Sequence, residues 1–257
     1  MSAYYNEIDP WKAAVLREAI KAGAIAPGDV DERSIKDVQA AELVGYTQCH
    51  FFAGGGFWSL ALRQAGWPDD RPVWTGSCPC QPHSGAAEAR KRGFDDPRDL
   101  WPEWCYLIRE CRPECVFGEQ VDDSAAWIDR MHSDLEQAHF AVGTVDFPAC
   151  AADAPIERLR TYFVAVPHSA GLKEQCRSFA MAPQLVSVER SGCSAYDGAH
   201  RTAGELGKLR RVKPGVHLLA DGHPGRVDLL RLAGDGIVVP AAEAFIKAAR
   251  EAIEGQA

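Results

Sequence analysis

The chain alternates. A short apolar run ends at a cluster of turn residues, a stretch with apolar residues at helical spacing follows, and the pattern repeats. Strand-like runs occupy Ser2–Tyr5, Tyr46–Ala53, Pro72–Thr75, Cys115–Gly118, Phe140–Phe147 and Thr161–Val166. Helical spacing covers Trp11–Ala22, Phe57–Ala65, Trp101–Cys111, Ala125–Ala138 and Pro240–Ala252. Asp9 and Pro10 suit the cap and first turn of the first helix, and Gly23 ends it. Such alternation predicts an α/β fold with a mostly parallel sheet and helices on both faces.

The segment from 167 to 217 breaks this rhythm and is rich in Gly, Ser and Arg. Eight basic and four acidic residues between Val166 and His217 leave that part at +4, whereas the whole chain carries −8. The division expected is a main domain over 1–166, a small lobe over 167–217, and a segment 218–257 that returns to the main domain. A basic lobe on an acidic body fits a protein whose small part touches phosphates; a solvated, charge-mixed linker fits the charge equally well. No apolar run reaches the roughly 18 residues of a membrane span. The first residues, Met1 to Glu7, have neither the basic segment nor the apolar core of a secretion signal. With nine scattered cysteines, an odd number, this predicts reduced thiols and a cytoplasmic location.

In a sheet of this kind, sites collect where strands end. Cys80 follows a strand, in Ser77-Cys78-Pro79-Cys80-Gln81-Pro82, with prolines on both sides to fix its backbone. The residues alone leave three readings open: a structural cysteine, an activated nucleophile, or a metal ligand acting with Cys78, Cys105, Cys111 and Cys115, though the C-x₂-C spacing of zinc modules is missing. Phe52-Ala53-Gly54-Gly55-Gly56 links a strand to a helix, as a plain tight turn or as a place where backbone approaches a cofactor. Glu7 and Asp9 at a strand end are either helix-capping residues or acceptors for ribose hydroxyls. Glu119, Arg158 and Arg160 stand at neighbouring strand ends, where they form surface ion pairs or converge on one pocket.

Together these motifs resemble the cytosine-5 DNA methyltransferase family, and its compact phage and prophage members in particular. Pro79-Cys80-Gln81-Pro82 is similar to the family's nucleophile motif, and Phe52 to Gly56 to its glycine motif. Asn6-Glu7-Ile8-Asp9 is similar to its acidic motif, Glu119-Gln120-Val121 to its Glu-Asn-Val, Arg158-Leu159-Arg160 to its arginine motif, and Gly234 to Pro240 to its carboxy-terminal motif. The resemblance implies a Rossmann-like methyltransferase sheet plus a small irregular target-recognition lobe. It implies catalytic roles for Cys80, Glu119, Arg158 and Arg160. S-adenosylmethionine would be held by Glu7, Ile8, Phe52, Ala53, Gly54, Gly56, Asp235, Gly236 and Ile237, with no metal. The implied substrate is double-stranded DNA with the target cytosine flipped out, in a restriction-modification or other DNA-modification role, by a monomer. The same chemistry on RNA or a free cytosine nucleotide, and a non-enzymatic nucleic-acid-binding relative, are the rival readings.

This chain departs from the pattern at Phe57, where relatives have glycine, at His83, where they have phenylalanine, and at Asp235, where they have asparagine. The acidic motif also precedes the glycine motif instead of following it. The interval Trp67–Ser77 is too short to hold a helix and two strands at about 3.3 Å per strand residue. The chain is therefore expected to be permuted: Ser2–Ile8 forms a strand beside Gln48–Ala53, and the motif of the next strand lies between Gly28 and Ile35. The basic residues Arg90, Lys91 and Arg92 fall in a segment, His83 to Arg98, expected to close over the base.

Overall fold

The computed structural model describes residues 2–79, 99–121, 125–154, 156–168, 232, 234 and 236–255, and the backbone of 200–203 and 209–212. The first turn of helix is built as its sequence suggests. Strand β1 (Ala3–Asn6) runs into Asp9, whose Oδ1 accepts from the backbone N–H groups of Trp11 and Lys12 at 2.9 and 3.3 Å. Pro10 then opens helix α1 (Pro10–Lys21), since its missing N–H costs nothing in the first turn. Strand β2 (Gly28–Asp31) follows, then two short 3₁₀ turns at Ile35–Asp37 and Ala40–Leu43.

Next come β3 (Gln48–Phe51), α2 (Phe57–Gln64), β4 (Val73–Gly76), α3 (Trp101–Cys111) and β5 (Val116–Val121). Helix α4 (Ala125–Gln137), β6 (Phe140–Pro148) and β7 (Leu159–Pro167) continue the main body. Strands β8 (His200–Ala203) and β9 (Leu209–Val212) form an antiparallel hairpin, and α5 (Val239–Glu254) is the last helix. The segment from 167 to 217, expected to be irregular, thus contains a regular ladder.

The main sheet has seven strands in the order β2-β1-β3-β4-β5-β7-β6. The first five are parallel, and β7 is antiparallel to both of its neighbours. Strand β1 pairs with β3 in the register Ala3–Gln48 to Asn6–Phe51. The amino-terminal strand therefore sits where the permutation argument put it.

The central strands β3 and β4 are buried on both faces, even at the polar residues Gln48, His50 and Thr75. One face packs Phe51, Trp74, Val116 and Phe163 against Trp101 and Trp104 of α3 and Trp127 of α4. The other packs Val73, Phe117 and Tyr162 against Trp58 of α2 and Phe245 of α5. Tyr5 of β1 and Leu16 of α1 form a third layer beside Ile25. Gly118 is a required gap: a Cβ there would lie 2.1 Å from Cε1 of Phe163.

Two boundaries differ from the sequence reading. Glu119 is inside β5, paired with Tyr162 of β7, not beyond the strand's end. Arg160 is inside β7, paired with Val121, rather than ahead of that strand. In both places the ladder between β5 and β7 extends the strand past the apolar run.

Candidate active site

The carboxyl ends of the parallel strands and the start of antiparallel β7 meet at one edge of the sheet, as expected for open α/β sheets. A cleft of about 560 Å³ opens there. The turn after β1 contributes Glu7 and Ile8, and the turn after β3 contributes Phe52, Ala53 and Gly54. Ser77, Cys78 and Pro79 come from the end of β4, Glu119 from β5, Arg158 and Arg160 from β7. Gly236 and Ile237 arrive just ahead of α5. Ser34 and Ile35, next after β2, complete the wall.

Glu7 ties the two turns of the cleft together. Its Oε1 accepts from the Asp9 N–H at 2.9 Å, and its Oε2 accepts from the Gly54 N–H at 2.7 Å. The carboxylate is buried, yet each oxygen keeps a further lone pair. Gly54 has φ of +57°, and nothing stands within 4 Å of where its Cβ would be. A side chain there would project into free space beside the carboxylate. Phe52 holds the left-handed region at φ +52°, rare for a bulky residue and of a kind that collects at functional sites. Its ring meets Trp104 edge-on at 6.1 Å. Ile8 is 64 % exposed on the cleft wall, an apolar surface suited to the face of a planar ring. These features fit an adenosine-type cofactor: a carboxylate for ribose hydroxyls, an unblocked glycine turn and an apolar face. Gly56 does not line the cleft. It caps α2 at φ +79° and faces Ile25 and Leu16.

At the other end of the cleft Glu119 is almost fully buried. The Arg160 Nε lies 2.9 Å from its Oε1, but off the line of a hydrogen bond, so both buried atoms retain unused capacity. Burial pushes the Glu119 carboxyl above the ordinary range, opposed by the charges of Arg160 and Arg158 and by the Ser77 hydroxyl. Arg158 Nη1 donates to the Gly234 carbonyl at 2.9 Å, joining β7 to the segment ahead of α5. An acid–base carboxyl between two cations, in a cleft that continues to Glu7 and Gly54, can exchange a proton with a basic ring nitrogen and hold a carbonyl oxygen.

Cys80, Asp235 and the segment from His83 to Arg98 lie outside the described residues. Cys78 is buried against the α3 face, and that burial raises its thiol well above the usual range. Cys115 belongs to the opposite face of the sheet, so it cannot join Cys78 and Cys105 around one ion. Among the described residues no three His, Cys, Asp or Glu side chains group to hold a metal. No helix among the described residues is long and apolar enough to cross a membrane.

The sequence reading missed Trp58, Ser77 and Gln120. Ser77 was legible as a strand-end residue; Trp58 enters because α2 presents it to the same wall. Gln120 Nε2 reaches the Cys78 carbonyl at 3.5 Å.

A mostly parallel seven-stranded sheet with one antiparallel strand next to its edge, and an acidic turn and a glycine turn sharing a cleft, defines the Rossmann-like methyltransferases. Within that class the chain belongs to the C-5 cytosine-specific DNA methylase family, whose profile matches residues 2–192. Similar solved structures include DNMT2 of Spodoptera frugiperda, 13 % identical with a TM-score of 0.44, over 65 % of this chain and 43 % of that one. Dnmt2 of S. pombe is 13 % identical with a TM-score of 0.39, over 79 % and 64 %. A prophage-encoded E. coli protein assigned as a DNA modification methyltransferase is 16 % identical with a TM-score of 0.37, over 65 % and 47 %. The chain thus spans less than two thirds of the length of each of these proteins. No curated protein sequence matches it.

Proposed function

We propose that this protein transfers a methyl group to carbon 5 of cytosine in double-stranded DNA, with Cys80 as the covalent nucleophile. The observation that carries the reading is the cleft itself: Glu119 and Arg160 stand at one end, and the Glu7–Gly54 clamp at the other. S-adenosylmethionine, when bound, supplies an electrophilic methyl group. Glu7, Ile8, Phe52, Ala53, Gly54, Gly236 and Ile237 would hold it, as would Asp235 by its place in the motif, with Gly56 shaping the turn. Ser34 and Ile35 complete the adenine side.

Carbon 5 of cytosine is a poor nucleophile. Attack of the Cys80 thiolate on carbon 6 makes carbon 5 an enamine-like centre. Pro79, the residue before Cys80, lines the cleft. Glu119 gives a proton to N3 as charge develops there, and its carboxylate then holds the N3–H and the exocyclic amine. Arg160 contacts the base carbonyl, with Arg158 beside it. Once carbon 5 carries the methyl group, water takes the carbon 5 proton, the Cys80–carbon 6 bond breaks to release the thiolate, and N3 returns its proton to Glu119, leaving 5-methylcytosine. A base inside a duplex cannot reach such a cleft, so it flips out. The lobe over 167–217, with Arg201, Arg210 and Arg211 in its hairpin strands, meets the phosphates, and 218–257 returns to the main domain. The free thiols of Cys49, Cys78, Cys105, Cys111, Cys115 and Cys150 support a reducing, cytoplasmic setting. A DNA-modification role and action as a monomer complete the reading.

Transfer of labelled methyl groups to duplex DNA, tRNA and dCMP, with bisulfite sequencing of DNA from expressing cells, tests the proposal. Duplex DNA should be labelled, and Cys80→Ser should abolish the label. Near-normal turnover by Cys80→Ser would sink the covalent mechanism, and label on tRNA or dCMP alone would overturn the choice of DNA. Glu119→Gln should cost at least about tenfold in rate, about 1.4 kcal/mol of barrier.

A further inference from the structure

Beside Glu119 on the cleft wall stands a hydroxyl that accepts a hydrogen bond from an indole. Trp58 Nε1 donates to Ser77 Oγ at 3.1 Å. An indole N–H donates and never accepts, so the bond occupies the acceptor side of the serine. The hydroxyl proton of Ser77 is then free for a second partner: Ser77 follows Gly76, the ladder partner of Gly118, so it stands beside Glu119 where β4 and β5 run together, and its hydroxyl favours the Glu119 carboxylate. The indole has little freedom to turn away. It stacks on Phe117 at 6.4 Å with 13° between the planes, and meets Tyr162 edge-on at 6.2 Å. Phe117 is two residues before Glu119 on β5, and Tyr162 is the ladder partner of Glu119 on β7.

We infer that Trp58 and Ser77 are positioning residues: the indole fills the acceptor side of the serine hydroxyl and thereby commits its proton to Glu119. The inference rests on Glu119 being the acid that meets the base. When Glu119 gives its proton to N3, the carboxylate left behind gains the Ser77 hydrogen bond at full strength, so the relay makes Glu119 a stronger acid than its burial alone allows. Among the described residues, the other groups facing Glu119 are Arg160 and Arg158, which favour the carboxylate, and Tyr162, whose buried phenol stays neutral.

Carbon-13 NMR titration of glutamate-carboxyl-labelled protein reads this directly, with the Glu119 resonance identified by its loss in Glu119→Gln. Ser77→Ala should raise the Glu119 midpoint by about half to one pH unit, about three- to tenfold tighter proton binding. Trp58→Phe keeps the stacking, removes the donor, and should raise it by less. In the double variant the midpoint should equal that of Ser77→Ala, because without the hydroxyl the indole has nothing to act through. Ser77→Thr should restore the parent midpoint. With duplex DNA, Ser77→Ala should lower kcat while KM stays within about threefold, since the relay acts on the proton and not on binding. A Ser77→Ala midpoint within about 0.2 units of the parent, or a Trp58→Phe increment that adds fully to it, would overturn the relay. Should Ser77→Ala fail to fold, an unchanged midpoint in Trp58→Phe would do the same. The titration needs no turnover, so a parent protein that methylates nothing refutes the proposed function and leaves the relay to its midpoints.

Discussion

His50 gives the fold a pH limit that can be worked out. It sits in the middle of β3, fully buried, with its ring stacked on Tyr5 at 4.8 Å. Nδ1 shares a hydrogen bond with Thr75 Oγ1 at 2.8 Å, and Nε2 has no partner. A proton on this ring would place a charge between β1, β3 and β4, with Asp69 the only carboxylate among the described residues favouring it. Burial therefore depresses the folded-state value from 6.5 to about 3. The sign follows from which state binds the proton. Below about 6.5 the unfolded chain protonates this histidine and the folded one does not, so stability falls as pH falls, down to about 3. At pH 5 the loss relative to neutral pH is about 2 kcal/mol, a sizeable part of the 5–15 kcal/mol typical of a domain. Urea unfolding at pH 7 and pH 5 of the parent and of His50→Gln measures it. The variant's basal destabilisation cancels when each protein is compared with itself. The parent should lose about 2 kcal/mol more than the variant between the two pH values. Equal losses within about 0.5 kcal/mol would refute the reasoning, because the unfavourable burial of the imidazolium would then be absent.

Glu7→Gln leaves one acceptor oxygen where two backbone N–H groups now bond. S-adenosylmethionine affinity by calorimetry should fall about tenfold or more, and binding within twofold of the parent would remove Glu7 from the cofactor site. Gly118→Ala drives a methyl group into Phe163, whose ring is packed 6.1 Å from Trp104 and 6.3 Å from Trp127. It should cost about 1–3 kcal/mol in denaturant unfolding, and a loss under about 0.5 kcal/mol would mean that the ring has room to move.

The sequence was most legible where one physical rule acted alone. Asp9 and Pro10 set the start of α1 within a residue, and the helix Trp101–Cys111 was readable end to end from its periodicity. The permutation was legible by subtraction, because Trp67–Ser77 has no room for the missing strands. Strand β2 was hidden: Gly-Asp-Val-Asp has poor strand propensity and becomes a strand only by pairing with β1. The strand read from the sequence stopped after Gly118, yet that glycine is a gap for the Phe163 ring, and β5 runs on through Glu119. The turns contributing Glu7 and Gly54 were readable as candidate site elements, but their direct bond was not, because 47 residues separate them. The Trp58–Ser77 bond had no sequence signal either, since it depends on the rotation of α2 about its axis.

The order of the strands makes the cofactor cleft divisible. Glu7 and Ile8 belong to a segment of β1, α1 and β2, whereas Gly54, Glu119 and Arg160 all follow the corner at Val44–Gly45. Val44 is 81 % exposed, and Gly45 turns the chain at φ +98°. A break at that corner would cut no strand and no helix, and would leave two polypeptides that each own part of the cleft. Their reassembly would depend on the β1–β3 ladder, on the core shared by Tyr5, Leu16 and Ala53, and on the bond from Gly54 to Glu7, which lies at the proposed cofactor site. A small molecule would then act as mortar between the pieces, drawing them together by mass action in proportion to its concentration. If the cleft holds S-adenosylmethionine as proposed, such a two-piece protein would report the level of that cofactor through how much of it is assembled.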